Sequence, residues 1–385
     1  MRVPYVLKQK NYYRMKHRFF AFFPIILLSI ILYITWRGCQ VLPDEGFLRL
    51  LYASGNIVFF LFFIGALLFG YKMPLKIASI ISFMGNTYLI VMIYLFFSFL
   101  IADAVRLAND MLHFAPAGLH NYRYWWMMIS CVAIAIAMFI GNYRFKHPKT
   151  VKLDLQTDKP QQNKELKILA VSDIHLGFSI NKKNLQRYVA MINEEKPDIV
   201  LMAGDVSDRS IKPIIRQNMQ EEFQQIKAPL GVFAINGNHE HYAETKGATA
   251  EYLSRSGIHI LIDSTHLIDN SFYLIGRDDR SNDQRKSLAD LVKNLNPDLP
   301  KILLDHQPFH LEEAQQNSID LQISGHTHEG QFFPGNLFVK NMFEIQYGYG
   351  KKGNTHYYVS SGLGIWGPQY RIGTQSEMVV IRLHY

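Results

Sequence analysis

Five short polar motifs in the C-terminal half of the chain contain side chains that bind metal ions in proteins. In chain order the motifs are Asp173-Ile174-His175, Gly204-Asp205, Gly237-Asn238-His239-Glu240, Asp305-His306 and Gly325-His326-Thr327-His328. Imidazole and carboxylate ligands together suit Zn, Fe, Mn or similar ions. The only two cysteines, Cys39 and Cys131, lie in or beside apolar segments of the N-terminal part. The absence of thiolate from the motifs argues against a structural zinc site.

Mixed imidazole and carboxylate ligands are suited to a pair of metal ions that hydrolyses a phosphate ester. Two ions about 3.5 to 4 Å apart polarise a bridging water and clamp the phosphoryl oxygens during in-line displacement. Asp173 and His175 are separated by one residue, which in extended backbone puts both side chains on one side. His326 and His328 repeat this spacing. A single such residue would more often be an ordinary hydrogen-bonding group, but five motifs in order predict a metal centre.

Short apolar or β-branched runs precede the motifs and alternate with polar, helix-compatible stretches. This alternation predicts a layered α/β domain. Ligands of α/β sheets bind beyond the carboxyl ends of strands, and the five motifs follow five predicted strands. The predicted strands are 167–171, 198–203, 231–236, 272–276, 301–305, 321–325, 357–361 and 378–383. The predicted helices include 183–194, 211–226, 246–256 and 284–294.

The N-terminal part contains four apolar segments that approach or exceed the roughly 20 residues needed to cross a bilayer core. They run over about 19–36, 51–71, 77–101 and 124–141, and charged residues occur only at their edges. A cleaved signal peptide is the alternative for the first segment, but Arg37 and the three further segments disfavour it. The predicted domains are a four-helix, all-α transmembrane region over 1–142, a linker with one short strand over 143–166, and the α/β domain over 167–385.

The net charge of +8 is distributed unevenly along the chain. Residues 1–150 contain 15 Lys/Arg and 4 Asp/Glu, whereas the remainder contains 25 and 28. The C-terminal part is therefore slightly acidic, which predicts no nucleic-acid partner. Placing both termini inside puts twelve basic residues beside the cytoplasm and four outside. This bias predicts an integral membrane protein, in the inner membrane if the source is bacterial, with a cytoplasmic C-terminal domain.

The ordered motifs DIH, GDVSDR, GNHE, DH and GHTH resemble those of the calcineurin-like metallophosphoesterase family. The pattern is similar to that of its membrane-tethered bacterial branch and of animal transmembrane proteins that carry such a domain. The resemblance covers about residues 165–385. It implies a four-layer sandwich, in which two mixed sheets pack face to face with helices outside, and an enzyme that uses two divalent metal ions.

The resemblance also implies a role for each motif residue. Asp173, His175 and His328 resemble the ligands of a first metal. Asn238, His306 and His326 resemble the ligands of a second metal, and Asp205 resembles the carboxylate that bridges both. His239 resembles the family's histidine that contacts the phosphate and either protonates the leaving oxygen or stabilises its charge. Asp208 and Arg209 match positions behind the ligands, where an aspartate orients a neighbouring histidine.

Other residues leave two interpretations open. His241 is a structural residue or a substrate contact, Asp305 is a surface group or a support for His306, and Arg371 forms a surface salt bridge or approaches the phosphate. His259, His266, His310 and His356 have no partner spacing and are expected to be structural. The aromatic-rich segment 332–349 is predicted to be a packed flap, with a membrane-facing rim that admits a lipid as the alternative.

The leading hypothesis is a membrane-anchored, metal-dependent phosphoesterase that cleaves a phosphomonoester, phosphodiester or pyrophosphate bond by attack of a metal-bridging water. The expected ions are Mn, Fe or Zn. The substrate is a lipid-linked phosphoester or a soluble phosphodiester, and the oligomeric state is left open. One alternative is a membrane sensor or scaffold that uses the fold as a binding module. Another is a transporter with an attached hydrolase, for which Asn56, Ser82 and Asn86 are the polar candidates within the apolar segments.

Overall fold

The computed structural model describes residues 24–114, 122–159, 164–243, 245 and 247–385. The basic residues of 1–18 and the first five residues of the predicted 19–36 segment lie outside this range. Four helices are long and apolar enough to cross a membrane, as predicted. They are α1 (Pro24–Val41), α2 (Gly46–Phe69, which continues as a 3-10 turn over Gly70–Lys72), α3 (Leu75–Leu112) and α4 (Tyr122–Lys146).

The chain forms two compact units. The first comprises 1–69 and 80–137, and the second comprises 70–79 and 138–385. The second unit therefore includes the turn between α2 and α3 and the C-terminal end of α4, in addition to the α/β domain.

Polar side chains of the first unit bond to one another across helices. The Tyr88 hydroxyl of α3 donates to Asn56 Oδ1 of α2 at 2.7 Å, whereas Asn86 Nδ2 donates to Ser82 Oγ at 3.2 Å within α3. Arg37 pairs with Asp103 and so connects α1 to α3. Hydrogen bonds of this kind hold apolar helices together where water is scarce. The three candidates for a transport path thus have partners within the helical unit.

Two six-stranded mixed sheets form the centre of the second unit. The strand order of the first sheet is β1-β12-β2-β3-β4-β5, and that of the second is β10-β11-β9-β8-β7-β6. Parallel pairing joins β2 through β5 in the first sheet and β7, β8, β9 and β11 in the second. The strands are β1 (Lys149–Gln156), β2 (Glu165–Val171), β3 (Ile199–Met202), β4 (Val232–Ala234), β5 (His259–Ile260), β6 (Ser264–Ile268), β7 (Phe272–Gly276), β8 (Lys301–Leu304), β9 (Leu321–Ser324), β10 (Gly348–Lys352), β11 (Thr355–Val359) and β12 (Glu377–His384).

The inner faces of the two sheets pack against each other. Successive strand residues point to opposite faces, and one apolar cluster joins Ile168 and Leu201 of the first sheet to Ile302 and Ile323 of the second. All four side chains are buried. Burial on both faces explains why these strands are continuous apolar runs rather than alternating ones.

Helices cover the two outer faces. Leu169 and Val200 of the first sheet pack with Tyr188 of α5, while Leu303 of the second sheet packs with Leu311 of α11. The predicted four-layer sandwich is thereby confirmed. The helices of the domain are α5 (Lys182–Glu194), α6 (Lys212–Arg216), α7 (Gln220–Phe223), α8 (Asn238–His241), α9 (Ala248–Arg255), α10 (Leu288–Val292), α11 (Leu311–Gln316) and α12 (Gly335–Met342).

The segment 143–166 differs from the predicted linker. α4 continues to Lys146, and β1 pairs in parallel with β12 over eight residues. Val151, Leu153 and Leu155 alternate with polar residues and pack on the inter-sheet core, so the period of two characteristic of a strand is present in the sequence. The charged residues between them obscure this period. The predicted limits 1–142, 143–166 and 167–385 remain a prediction.

Candidate metal centre

The ends of five parallel strands bring the motif residues to one edge of the sandwich. Beyond β2, β3, β4, β8 and β9 the chain turns, and three groups of potential ligand atoms form there, each within 4.8 Å. The groups are Asp173/His175/His328, Asp205/His306/His326 and His175/Asp208/His239. The carboxyl ends of parallel strands are where α/β sheets place their ligand sites.

The first group directs three potential ligand atoms towards one point. His175 Nε2 lies 3.1 Å from His328 Nε2, and His328 Nε2 lies 3.4 Å from Asp173 Oδ1. His175 Nε2 lies 3.9 Å from the same carboxylate oxygen. Asp173 and His175 are fully or almost fully buried. The two imidazole nitrogens at this distance share either a proton or a cation, and a cation would satisfy the carboxylate oxygen as well.

In the second group, the side chains of His306 and Asp205 face each other. His306 Nδ1 lies 2.7 Å from Ala203 O and donates to it, which leaves Nε2 directed at the centre. Burial lowers the pKa of His306, but the carboxylate of Asp205 outweighs burial and raises the pKa well above its usual range, so without a cation a proton stays on Nε2. That Nε2 lies 3.2 Å from Asp205 Oδ2 and has no hydrogen-bond partner. A backbone carbonyl on the far nitrogen is the usual way in which a metal-binding histidine is oriented.

Asp205 lies between the two groups. Its Oδ2 is 3.2 Å from His306 Nε2 and 3.8 Å from His175 Nε2. Asn238 is buried beside it on α8, and Asn238 Oδ1 has no hydrogen-bond partner. An amide oxygen buried without a partner costs free energy unless a ligand satisfies it. These positions suit the predicted bridging and second-metal roles.

The backbone at the candidate ligands is strained. Asp173, His175, Asp205, His326 and His328 all have left-handed φ values between 49° and 71°. Such a conformation costs roughly 1–3 kcal/mol for a non-glycine residue and concentrates at functional sites. The expectation that Asp173 and His175, or His326 and His328, share one side of an extended segment was wrong. Tight turns aim each side chain separately instead.

Two glycines allow the carboxylates to be buried. A Cβ at Gly237 would lie 2.1 Å from Asp205 Oδ1, and a Cβ at Gly325 would lie 2.3 Å from Asp173 Oδ2. No other residue type fits at these positions without displacing a candidate ligand.

His239 and Asp208 form the third group. The His239 backbone N–H donates to Asp205 Oδ1 at 2.8 Å, and His239 Nδ1 lies 3.2 Å from Asp208 Oδ1 and also contacts Asp208 O. Burial lowers the pKa of His239, but the carboxylates of Asp205 and Asp208 outweigh burial and raise the pKa to about 9 in the metal-free site. Burial likewise opposes ionisation of Asp208, yet the hydrogen bond to His239 and the charge of Arg209 lower its pKa. The imidazolium is therefore held in one orientation.

Glu240 joins two of the motif turns, which the sequence did not reveal. Its carboxylate accepts from the backbone N–H groups of Asp205, Ser207 and Gly237 at 2.8 to 3.0 Å. It thereby fixes the turn after β3 against the turn after β4. An acidic residue inside a GNHE motif is the one signal that could have indicated this role.

Three residues with open interpretations have other partners. Arg371 is fully buried and donates to the carbonyl groups of His328, Ser361, Gly362 and Gly364 at 2.7 to 3.1 Å. It is thus not a surface salt bridge, and that interpretation was wrong. The approach to the phosphate stays a prediction. His241 pairs with Asp278 at 2.9 Å. Asp305 pairs with Arg277 and Arg285 rather than with its neighbour His306.

Tyr71, in the turn between α2 and α3, also reaches the centre. Its hydroxyl donates to Asp208 Oδ2 at 3.4 Å, and its ring packs against Phe178 with centroids 5.0 Å apart. The sequence predicts an interfacial anchor for a tyrosine at the end of an apolar segment. Nothing in the local sequence indicates the contact with Asp208, which is 137 residues away.

The donor set fits two divalent cations. Each of the first two groups combines imidazole nitrogen with carboxylate oxygen, and neither contains thiolate. This composition suits Zn, Fe or Mn. The unpartnered Asn238 Oδ1 and His306 Nε2 are the atoms that such ions would satisfy.

Known proteins share these motifs. Residues 166–330 match the calcineurin-like phosphoesterase family. The chain is 30% identical over 263 residues to an uncharacterized metallophosphoesterase of Campylobacter jejuni, covering 66% of this chain and 69% of that protein. It is 30% identical over 261 residues to an uncharacterized metallophosphoesterase of Aquifex aeolicus, covering 64% and 97%.

A vertebrate relative is also similar. The transmembrane protein with metallophosphoesterase domain of Danio rerio is 33% identical over 253 residues, covering 61% of this chain and 57% of that protein. The chain therefore spans from little over half to nearly all of the length of these relatives. Together with the paired Asp/His groups, these similarities show that the chain belongs to the calcineurin-like phosphoesterase family of metal-dependent phosphoric ester hydrolases.

Proposed function

We propose that this chain is a membrane-anchored phosphoesterase that uses two divalent ions to hydrolyse a phosphomonoester, phosphodiester or pyrophosphate bond. The observation that carries the proposal is Asp205, whose Oδ2 lies between His306 Nε2 at 3.2 Å and His175 Nε2 at 3.8 Å. In this proposal Asp173, His175 and His328 hold one ion. Asn238, His306 and His326 would hold the other, and Asp205 would be shared between them.

The ions, when bound, supply charge neutralisation for the phosphoryl oxygens and activation of water. The remaining chemistry belongs to His239. Its Nδ1 is held by Asp208, so the proton on the opposite nitrogen is available to the leaving oxygen. The charge of Asp208 and its hydrogen bond favour the protonated imidazole.

The opening of the metal centre beside His239, which we call the mouth, is lined by side chains that suit an amphiphilic substrate. The rings of Tyr242 and Trp366 lie 5.8 and 6.3 Å from the His239 ring, measured between centroids, and both side chains are about half exposed. Aromatic side chains of this kind contact apolar groups while one edge stays in water. We therefore propose a lipid-linked phosphoester as the substrate class, with a soluble phosphodiester as the second candidate.

The assay that tests the activity uses the full chain in detergent with Mn²⁺ and bis-p-nitrophenyl phosphate. We expect turnover that a chelator abolishes and Mn²⁺ restores. Asp205→Asn keeps the shape of the side chain but removes its charge, so turnover should be lost; a variant with full turnover would refute the shared carboxylate. Substrate binding without any turnover in the unmodified chain would favour the sensor or scaffold alternative.

The proposed orientation is cytoplasmic for both termini and for the catalytic domain. The relative from Danio rerio is named as a transmembrane protein, and four helices of this chain have the length and composition of membrane spans. A reporter fused after Tyr385 should be active only in the cytoplasm. Labelling of that reporter from outside the cell would overturn the orientation and leave the chemistry untouched.

A further inference from the structure

The α12 region exposes large apolar side chains close together. Phe333, Leu337, Phe338 and Met342 are 49, 52, 67 and 63% exposed. Apart from Tyr242 and Trp366 beside His239, exposed residues elsewhere in the α/β domain, such as Ile262, are scattered, which is ordinary for a protein surface. We call these four side chains the α12 surface.

The α12 surface contradicts the predicted packed flap. Helix α12 has no buried residue, although its sequence, GNLFVKNM, contains four apolar side chains. At about 100° per residue, Leu337, Phe338 and Met342 cover an arc of about 140° on one side of the helix. Lys340 lies on the opposite side of the helix from Phe338 and is exposed. The segment is thus a short amphipathic helix whose apolar side faces outward.

Backbone contacts connect the α12 surface to the end of α4. Arg371 N donates to Gly141 O at 2.9 Å. The next residue, Ile372, forms an isolated parallel β-bridge with Phe332, and its carbonyl oxygen accepts from Phe333 N at 2.8 Å. Gly141 is where the last apolar segment ends. Beside it on α4, Phe139 and Tyr143 are exposed as well. The end of α4 and the segment before α12 are therefore connected through Arg371 and Ile372 within one compact unit.

The same region continues to the mouth of the metal centre. Gln331, two residues before Phe333, donates through Nε2 to Trp366 O at 2.8 Å and accepts from Trp366 N at 3.2 Å. Trp366 in turn lies beside His239. If α12 lies at a fixed depth in a bilayer, the opening of the metal centre beside Trp366 is therefore held at a fixed height as well.

We propose that the α12 surface inserts into the interfacial layer of the lipid bilayer at the level where α4 leaves it. This inference rests on the membrane anchoring proposed above. Amphipathic helices of this type lie in the plane of the interface, with apolar side chains at the headgroup and acyl boundary and basic side chains among the phosphates. The bilayer is the occupant that continuity with α4 favours, and Lys340 suits its anionic headgroups. The metal centre then opens at the membrane surface, within reach of phosphoesters carried by lipids.

Depth-dependent fluorescence quenching tests the proposal. The full chain, with Cys39→Ser and Cys131→Ser, carries a single labelled cysteine at Phe338→Cys and is reconstituted into phosphatidylcholine/phosphatidylglycerol vesicles with brominated acyl chains. The matched control is Leu267→Cys on the edge strand β6, which is exposed to 45% in the native chain. We expect the label at 338 to be quenched roughly threefold more than the label at 267, because only the former enters the acyl boundary.

Equal quenching at both positions would overturn the proposal. Shielding of the label at 338 in detergent, together with cross-linking between copies at that position, would overturn it in favour of a second copy of the chain. Resistance of the protein to alkaline extraction tests the anchoring separately, and turnover of bis-p-nitrophenyl phosphate tests the proposed function separately. The triple variant Leu337→Ser/Phe338→Ser/Met342→Ser should keep that turnover and the anchoring. In the native chain, vesicles should protect Lys340 from modification by an aqueous amine reagent. In the variant this protection should be lost.

Discussion

Asp305 and His306 are consecutive residues that enter two different buried clusters. Asp305 Oδ2 and Oδ1 lie 3.0 and 3.2 Å from the guanidinium groups of Arg277 and Arg285, so opposite charges meet. His306 Nε2 instead lies 3.2 Å from Asp205 Oδ2 without forming a hydrogen bond to it. Buried polar groups are stable only when their hydrogen bonds are satisfied. In the first cluster each oxygen of Asp305 has an arginine donor, although Arg277 Nε has no partner. In the second, His306 Nε2 and Asn238 Oδ1 have no partner, and a cation would satisfy both.

The comparison teaches how structural and functional charge are told apart. Both clusters are deeply buried, and both follow the end of β8, so neither burial nor position distinguishes them. The balance of donors and acceptors does. A cluster in which each carboxylate oxygen has its donor supports the fold, whereas one whose potential ligand atoms have no partner is prepared for a ligand.

The largest expected effect comes from the second cluster. His306→Ala removes one proposed ligand and should lower turnover by roughly 10⁴-fold or more, because the paired ions act together on the phosphate. Metal analysis should show fewer than two ions per chain. If the His306→Ala variant bound two ions and kept normal turnover, the second cluster would not be a metal site, and the proposed difference between the two clusters would be wrong.

His239→Ala sharpens the comparison within the centre. The imidazole is proposed to donate a proton rather than to bind metal, so both ions should remain while turnover falls by roughly 10² to 10⁴-fold, the usual contribution of a positioned acid. A substrate with a good leaving group, such as a p-nitrophenyl ester, needs less protonation and should show the smaller loss. An equal loss for good and poor leaving groups would contradict the role as an acid.

Asp305→Ala probes the first cluster. It leaves the half-buried Arg285 without this carboxylate and Arg277 with Glu313 alone, at 2.8 Å, which costs about 1–3 kcal/mol of folding stability. We expect a lower Tm by thermal shift in detergent, with two ions and normal turnover in the folded protein at low temperature. If metal were lost at a temperature where the fold persists, Asp305 would belong to the centre after all.

Tyr71→Phe should have the smallest effect. It deletes one long hydrogen bond to Asp208, and such a bond contributes about 0.5–1.5 kcal/mol. We expect kcat to fall a few-fold, while metal content and KM stay unchanged, because Asp208 orients His239 and does not contact the ions. Tyr143→Phe, on the exposed side of α4, is the matched control and should change nothing.

Local sequence patterns predicted most of the fold because strand runs and apolar segments are properties of neighbouring residues. The eight predicted strands all occur, within a few residues of their expected limits. β5, β6 and β10 were missed, since β5 has two residues and β6 and β10 are edge strands rich in polar residues or glycine. The predicted helix 211–226 is instead two short helices, α6 and α7, separated by Asn218 with a left-handed φ of 49°.

The sequence by itself determined which side chains are available for chemistry and at which strand ends they lie. Residue type and chain order are local, and β2, β3, β4, β8 and β9 have to end where their apolar runs end. Tertiary structure alone decided which potential ligand atoms face one another. His175 and His328 are 153 residues apart, and the direction of each is set by a left-handed turn and a partner from another strand. It likewise decided that Arg371 is buried and that α12 is exposed, because burial depends on what packs against a residue and not on the residue itself.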